Sequence, residues 1–251
     1  MIIYKSREEI AKMRASGRIT AATIERVLAA VRPGATTADL DAVAEAHIHE
    51  AGAVPNFKGY RGFPASICTS INNEIVHGIP SKRRVLREGD LVSLDFGVIW
   101  EGFHSDSAVS VFVGDPPSSE AEKLVRVTEE ALEAGIAEIR PGGRVTDISN
   151  AIQQRAEGAG FSVVREYVGH GVGRALHEDP QIPNYGAPGR GPELRPGLVI
   201  AVEPMVNLGG WETAVLADDW TVVTLDGSLS AHFEHTIAVT EDGREVLTAR
   251  G

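Results

Sequence analysis

The chain has 251 residues, 43% of them hydrophobic, so it can bury a sizeable core as one domain or as two fused halves. Its formal net charge of −11 argues against a general binder of nucleic acid or of anionic membranes, since either would need a basic face. Cys68 is the only cysteine and neither a signal peptide nor an apolar run of membrane length is present, so we expect a cytoplasmic protein without disulfide bonds or a multi-thiolate zinc site.

The first part of the chain predicts two helices followed by strands. Ser6 is a suitable cap for the first helix and Thr37 for the second, and the RPG motif at 32–34 separates them. After the second helix comes a loop rich in glycine and aromatic residues, then a strand, then the polar turn NNEIVHGIP. In this order the predicted segments are residues 6–31, 37–52, 56–63, 66–71 and 72–80.

Residues 86–111 predict two apolar strands joined by a turn next to Gly102, and each strand carries one acid. A hairpin folded midway between Asp95 and Asp106 places the two carboxylates across from each other. Two like charges in an apolar sheet repel and are poorly solvated, and a cation is the simplest compensation. A pair of surface carboxylates on a solvated edge is the alternative.

The second part of the chain repeats this order at a constant offset. A helical pattern at 118–139 precedes a second one at about 146–160, and the RPG motif at 32–34 recurs at 140–142. LREG at 86–89 likewise recurs as LRPG at 194–197, again 108 positions further on. The same offset carries Asp95 onto Glu203. One unit of two helices and a sheet is therefore used twice.

The repeat predicts a second pair of acids. Glu203 lies in an apolar strand, and its hairpin partner is Glu234. If the two halves pack about an approximate two-fold axis, then Asp95 and Glu203 face each other and four acids converge. Four buried carboxylates without cations would be very unfavourable, whereas two divalent ions would neutralise them.

Three of the eight histidines are candidates for the same site. His170 lies in VGHGVGR, His177 follows seven residues later, and His77 precedes a glycine in the polar turn. Alone, each is better explained as a hydrogen-bonded structural histidine. Beside four acids, one of them is expected to bind metal and the others to handle protons or to polarise a carbonyl. The remaining histidines are interpreted as solvated, exposed or structural: His47, His49, His104, His232 and His235.

The motifs NNEIVHGIP, SLDFG, GHGVGRALHEDP, AVEPM and SAHFEHT resemble those of the methionine aminopeptidases. The resemblance extends from Ser6 to about Val246 and points to the short bacterial type I form, because only 26 positions separate His177 from Glu203. It implies an α+β fold, the duplicated pita-bread fold with pseudo-two-fold symmetry. We expect a single catalytic domain over 1–251, built from halves at about 6–113 and 118–246.

The resemblance implies a centre of two divalent ions, with Co, Mn, Fe and Zn as candidates. Asp95 would bind mainly one ion, Asp106 and Glu234 would bridge both, and His170 and Glu203 would complete the second site.

Three residues would act on the substrate. Glu203 would also take and relay a proton from the attacking water, whose pKa the ions lower. His177 would hydrogen-bond the scissile carbonyl oxygen, and His77 would contact the scissile amide nitrogen or the residue after it.

The resemblance also implies a pocket for the methionine side chain, since a thioether suits a polarizable wall. Phe57, Leu176 and His232 depart from the residues that are usual in the family, so the shape of this pocket is expected to be particular to this chain. Ordinary core packing is the alternative for the whole set. The implied pocket residues are Phe57, Tyr60, Phe63, Cys68, Leu176 and Trp220.

The sequence thus predicts a metal-dependent exopeptidase that removes the initiator methionine of nascent chains, preferably before a small second residue. A proline-directed relative, an Xaa-Pro aminopeptidase or prolidase, is a second hypothesis, although such enzymes usually carry an extra N-terminal domain. A non-catalytic peptide-binding module on the same fold is a third, but such descendants generally lose metal ligands. We expect a monomer with no nucleic-acid or membrane partner, and the ribosome is a candidate partner.

Overall fold

The computed structural model describes residues 1–251 and contains four α-helices. Ser6 begins the first helix with a capping box, in which its side chain accepts from the Glu9 backbone and the Glu9 carboxylate accepts from the Ser6 backbone. The predicted cap of the second helix is one residue late, because Thr36 rather than Thr37 forms the equivalent box with Asp39. The helices are α1 (Arg7–Leu28), α2 (Thr37–Glu50), α3 (Ser119–Ala137) and α4 (Val145–Gly158).

All paired strands run antiparallel, and they form four sheets. In the first sheet, β4 (Leu91–Trp100) pairs with β1 (Val54–Pro55), β2 (Ile67–Ile71) and β5 (Phe103–Phe112). The largest sheet has the order β15 (Gly243–Val246), β14 (His235–Thr240), β9 (Val199–Val202), β7 (Gly169–Gly171), β8 (Glu178–Ile182). Two smaller sheets have the orders β13 (Ser230–His232), β10 (Met205–Asn207), β6 (Ser162–Val163) and β11 (Thr213–Val215), β12 (Val222–Thr224), β3 (Glu74–Val76).

The segment 72–80 is more ordered than a polar turn. Its residues Glu74–Val76 form β3, which pairs with β12 from the other half of the chain. A strand of three residues is too short to show a period in the sequence.

The predicted hairpin is formed by β4 and β5, and residues 101–102 make its turn. Both turn residues have positive φ, 49° and 78°, as a two-residue hairpin turn of the primed type requires. This turn is centred one residue beyond the midpoint between the acids, so Asp106 pairs with Gly97 and Asp95 with Ala108. The expectation of directly opposed carboxylates was therefore wrong. The two acids are diagonal neighbours on one face, a spacing that still lets their side chains interact.

The 108-residue offset recurs in the hydrogen-bonding pattern. Thr36 bridges Val85 in the first half, and Arg144 bridges Glu193 in the second. Helices α2 and α4 both contain 14 residues and begin and end at equivalent positions. The duplicated fold predicted from the sequence is confirmed.

The two halves share one core. The largest apolar cluster includes a fully buried side chain from each helix: Ile24, Leu40, Leu124 and Ile148. Each such side chain contributes roughly 1.5–3 kcal/mol of hydrophobic stabilisation. None of the four helices combines the length and the apolar character needed to cross a bilayer.

Strand β5 also joins the halves through hydrogen bonds. The backbones of Ala108 and Glu234 exchange two of them, each residue donating once and accepting once. The Thr236 hydroxyl accepts from the Asp106 amide at 2.9 Å and donates to the Asp106 carbonyl at 2.7 Å. Asp106 and Glu234, one from each half, are thereby fixed beside each other.

Candidate metal centre and substrate cavity

The five predicted metal ligands come from separate parts of the chain and meet at one place: three lie in strands β4, β5 and β7, one directly follows β9, and one directly precedes β14. One oxygen each from Asp106 and Glu234 and a ring nitrogen of His170 lie within 4.8 Å of one another. His170 Nε2 is 3.6 Å from Glu203 Oε1 and 3.8 Å from Asp106 Oδ2. Asp95 lines the same cavity as His170, Glu203 and Glu234. The structure therefore brings the predicted set together.

The surroundings of the acids disfavour their charged forms. Burial raises the pKa of Asp95 to about 7. Burial, together with the charges of neighbouring acids, raises the pKa values of Asp106, Glu203 and Glu234 well above their usual range.

The donor set fits a divalent cation. One carboxylate oxygen on each of Asp95, Asp106 and Glu234 is buried without a hydrogen-bond partner. Such an atom loses its hydration on folding and regains no protein contact, which is unfavourable unless another group binds it. Carboxylate oxygens with one imidazole nitrogen suit divalent first-row metals.

The hydrogen bond and the burial of His170 favour the neutral ring, the form that binds metal. Its Nδ1 lies 2.9 Å from the Gly171 carbonyl oxygen, which can only accept, so Nδ1 carries the proton and donates it there. Nε2 is then left with its lone pair facing the acids. Burial lowers the pKa of His170 to about 3, which keeps the ring neutral at physiological pH.

We expect metal-free protein to lose stability as the pH rises from about 4 to about 7 and beyond. The buried carboxyls have higher pKa values in the folded chain than in the unfolded chain, so the folded state binds more protons in this range. Their destabilising effect is absent below the unfolded pKa values and grows as the pH rises; for Asp95 it is complete above the folded pKa of about 7.

Melting temperatures measured with EDTA and with added Mn²⁺ test this expectation. The gain on adding Mn²⁺ should be larger at pH 8 than at pH 5.5. All other titrating groups are common to both samples, so the difference between the two melting curves isolates the centre. A gain that does not vary with pH would contradict the expectation.

His177 lies beside the centre, at the rim of the cavity. Its ring centroid is 4.2 Å from that of His170, and its Nδ1 is 2.9 Å from the Tyr60 hydroxyl. When Tyr60 donates to Nδ1, the proton of the neutral imidazole is on Nε2, which is then a free donor. Partial desolvation and the positive charge of Arg61 lower the pKa of His177, which favours this neutral form.

His77 is held in a constrained backbone position. Its φ of 62° lies in the left-handed region that non-glycine residues rarely adopt. The next residue must be glycine, because a Cβ on Gly78 would lie 2.1 Å from the Thr69 carbonyl oxygen. The imidazole stands edge-on to Trp220 with centroids 6.2 Å apart, and burial lowers its pKa to about 4.

A cavity adjoins the centre, with one apolar side formed by clustered hydrophobic residues, and it has a volume of about 190 Å³; we call it the apolar cavity after that side. This volume is below the roughly 300–1,000 Å³ of sites for drug-sized ligands, and it suits a single side chain. Asp95, Glu203 and Glu234 lie at its acidic end. Its other lining residues include all six of the predicted pocket set, Phe57, Tyr60, Phe63, Cys68, Leu176 and Trp220.

Sequence reasoning missed two residues of the site. Arg61 lines the cavity beside Tyr60, and nothing in its loop singled it out. His232, interpreted as structural, is buried with its Nε2 3.8 Å from Glu203 Oε2. Strand alternation could have indicated this position, because residues two apart, such as His232 and Glu234, point to the same face.

Two other histidines are less exposed than expected. His47 is half-buried, and its Nδ1 lies 2.9 Å from the Thr23 hydroxyl. His104 is half-buried too, and burial lowers its pKa to about 4. Both expectations of solvated side chains were wrong, because α1 and the β4–β5 turn region pack more closely on their neighbours than local sequence shows.

Comparison with known proteins identifies close relatives along the whole chain. The model of metallopeptidase family M24 matches residues 11–241. The methionine aminopeptidase of Clostridium acetobutylicum is 52% identical over 248 residues, which cover 99% of each chain. Methionine aminopeptidase 1 of Bacillus subtilis is 54% identical with the same coverage.

Solved structures agree with this similarity. The crystal structure of a methionine aminopeptidase from Thermotoga maritima covers 100% of both chains with a TM-score of 0.98 and 48% identity. The prolidase from Pyrococcus furiosus gives a TM-score of 0.81 at 22% identity, with 99% of this chain and 66% of the prolidase covered. The similarity to the prolidase is one of fold alone.

Proposed function

The chain belongs to metallopeptidase family M24, and from this premise we propose that it hydrolyses the first peptide bond of polypeptides that begin with methionine. It is a metal-dependent aminopeptidase whose reaction removes the N-terminal methionine. The observation that carries the proposal is the position of the buried acid and histidine cluster at the end of an apolar cavity of side-chain size.

We propose two divalent ions at the centre, because two such charges balance four carboxylates. The proposed ligands are Asp95, Asp106, His170, Glu203 and Glu234, with Asp106 and Glu234 bridging. Support comes from the partnerless oxygens of three of these acids and from the bare Nε2 of His170. Co, Mn, Fe and Zn all suit the donor set. Bound ions would supply Lewis acidity and lower the pKa of water towards neutrality.

The residues around the centre would orient and protonate the substrate. The carbonyl oxygen of the first residue accepts from His177 Nε2, which stabilises the charge that develops on that oxygen during attack by water. Glu203 takes the proton of the attacking water and passes it to the leaving amine. His77 contacts the scissile amide nitrogen or the residue that follows.

The shape of the cavity supports an exopeptidase. The methionine side chain occupies the apolar part, against Cys68 and Trp220, and the free amine lies at the acidic end. A chain that continued beyond the amine would meet the carboxylates instead of solvent. The rings of His77 and Tyr167, with centroids 5.9 Å apart, narrow the space beyond the scissile bond, which favours a small second residue.

We further propose one catalytic domain over 1–251, with halves at about 6–113 and 118–246. The acids that converge from both halves support it, since neither half holds the full ligand set. Nascent chains in the cytoplasm are the proposed substrates of a monomeric enzyme, and contact with the ribosome is the proposed way of meeting them.

Kinetics on competing peptides test the proposed function. We expect metal-loaded protein to cleave Met-Ala-Ser with a kcat/KM at least about 10²-fold above that for Ala-Pro-Ser, because the cavity binds the methionine side chain. N-acetyl-Met-Ala-Ser, which lacks the free amine, should not be cleaved.

Each alternative gives a different result in this assay. Faster cleavage of Ala-Pro-Ser would favour a proline-directed peptidase. Protein that neither binds a divalent metal nor cleaves Met-Ala-Ser would favour a peptide-binding module. Repeating the assay with each ion, on protein purified without oxygen, identifies the metal that supports the reaction.

A further inference from the structure

His177 stands at the end of a loop that is neither helix nor strand. The loop, residues 172–177, joins β7 to β8. Within it the Gly173 amide donates to the Ala175 carbonyl at 3.1 Å, and the Gly173 carbonyl accepts from the His104 amide at 2.8 Å. His177 itself is exposed at the rim of the apolar cavity, so the position of its ring depends on what holds the loop.

A buried ion pair closes this loop. Lys5 Nζ lies 2.7 Å from Glu178 Oε2, and the two side chains are only 2% and 6% exposed. Glu178 directly follows His177 and is the first residue of β8. Its other carboxylate oxygen, Oε1, accepts from the Ala175 amide at 3.2 Å. One carboxylate therefore links the loop to its own backbone and to the segment before α1.

Both partners of the ion pair are held in place by further contacts. Lys5 Nζ also donates to the Ile3 carbonyl at 3.0 Å, and the Lys5 amide donates to the Gly197 carbonyl at 2.7 Å. Gly173 of the loop faces the pair, because a Cβ there would lie 2.4 Å from Lys5 Cε and 2.6 Å from Glu178 Oε1. The missing side chain at 173 lets the loop pack directly on the pair.

We propose that Lys5 and Glu178 are positioning residues, which hold His177 where it meets the scissile carbonyl oxygen; this inference rests on the proposed function. Leu176, the preceding residue of the loop, is buried in an apolar cluster with Phe57 and has packing of its own. His177 is exposed and depends on the loop instead. A misplacement of about 1 Å can cost about 10²-fold in rate. The ion pair should therefore act on kcat more than on substrate binding.

A purely stabilising role is the competing explanation, since removal of one partner leaves an uncompensated charge in the interior. A second ion pair supplies the matched control. Arg14 of α1 pairs with Glu245 of β15, and neither residue lines the apolar cavity. Arg14→Met should lower the melting temperature but leave kcat unchanged.

Lys5→Met and Glu178→Gln test the proposal on Met-Ala-Ser with the same metal. We expect each to lower kcat about ten- to a hundredfold, while KM stays within about threefold and the metal content is unchanged. The combined variant Lys5→Met/Glu178→Gln leaves no unpaired charge in the interior, so it serves if a single variant fails to fold. It should show the same fall in kcat, because the loop still lacks its link to the segment before α1.

A double-mutant cycle shows whether Lys5 acts through His177. In a His177→Ala background, Lys5→Met should change kcat by no more than about twofold, because the group that it positions is already gone. A purely structural role would lower kcat by the same factor whether or not the imidazole is present.

Three results would overturn the proposal. The first is a kcat within about twofold of that of the unmutated protein in the Lys5 and Glu178 variants. The second is an equal fall in kcat in Arg14→Met, and the third is an undiminished effect of Lys5→Met in the His177→Ala background. Unmutated protein that does not cleave Met-Ala-Ser would overturn the proposed function, and this inference with it.

Discussion

Replacing His177 with alanine is expected to lower kcat for Met-Ala-Ser by about 10²–10³-fold, the effect of removing one donor to a developing oxyanion. The donor is Nε2 when the Tyr60 hydroxyl, which lies 2.9 Å from Nδ1, donates its proton to that nitrogen. His177 packs on His170 but is not among the proposed ligands, so the metal content should stay near that of the unmutated protein. Steady-state kinetics and elemental analysis of the same sample check both parts.

Two further variants distinguish the loss of the His177 hydrogen bond from a non-specific effect of substitution. His49→Ala removes an exposed histidine on α2 that does not line the cavity, and its kcat should be unchanged. Tyr60→Phe keeps the imidazole but removes its orienting partner, so an intermediate loss of about tenfold is expected. If His177→Ala loses its bound metal, the proposed role of His177 is refuted.

Replacing Asp106 with asparagine is expected to lower activity by at least about 10³-fold, since in its proposed bridging role this carboxylate would serve both proposed ions. An amide is neutral and offers one oxygen, so it cannot hold two cations. Metal stoichiometry measured after gel filtration should therefore fall at both sites. Without metal, the same substitution should raise the melting temperature at pH 8, because it removes one of the carboxylates that burial and mutual repulsion destabilise.

The test is specific because the substitution should lower the metal content but raise the melting temperature of the metal-free protein. A variant that is merely misfolded would lose both metal and stability. Asp242→Asn, an exposed position in the turn between β14 and β15, is the matched control and should change neither property. Metal stoichiometry that stays unchanged in Asp106→Asn would count against a bridging role.

Much of the fold could be predicted because its signals can be read directly from the sequence, without knowledge of tertiary contacts. Ser6 and the acid three residues later mark a helix start, and the 108-residue repeat needs only the sequence to be found. The register of the hairpin was harder to predict, because it depends on whether Glu101 adopts a positive φ. Strand β3 was missed because its partner lies in the other half of the chain.

The residues of the site likewise fall into those that the sequence alone indicates and those that only the folded structure reveals. An acid inside an apolar strand, as at Asp95 or Glu203, is a signal that the sequence carries by itself. The separate roles of these acids came only with the resemblance to a known family. Strand alternation could have indicated that His232 faces the site, but its contact with Glu203 depends on how the strands pack, which the sequence does not carry.

The two hydrogen bonds between Ala108 and Glu234 bear on how the two halves of the enzyme would separate during unfolding. They form a seam between the halves, and the acids on either side of that seam belong to one centre. A local opening there would separate Asp106 from Glu234 while each half still kept its helices. We expect such an opening to release bound metal, so the rate of metal release becomes a gauge of how firmly the seam is closed.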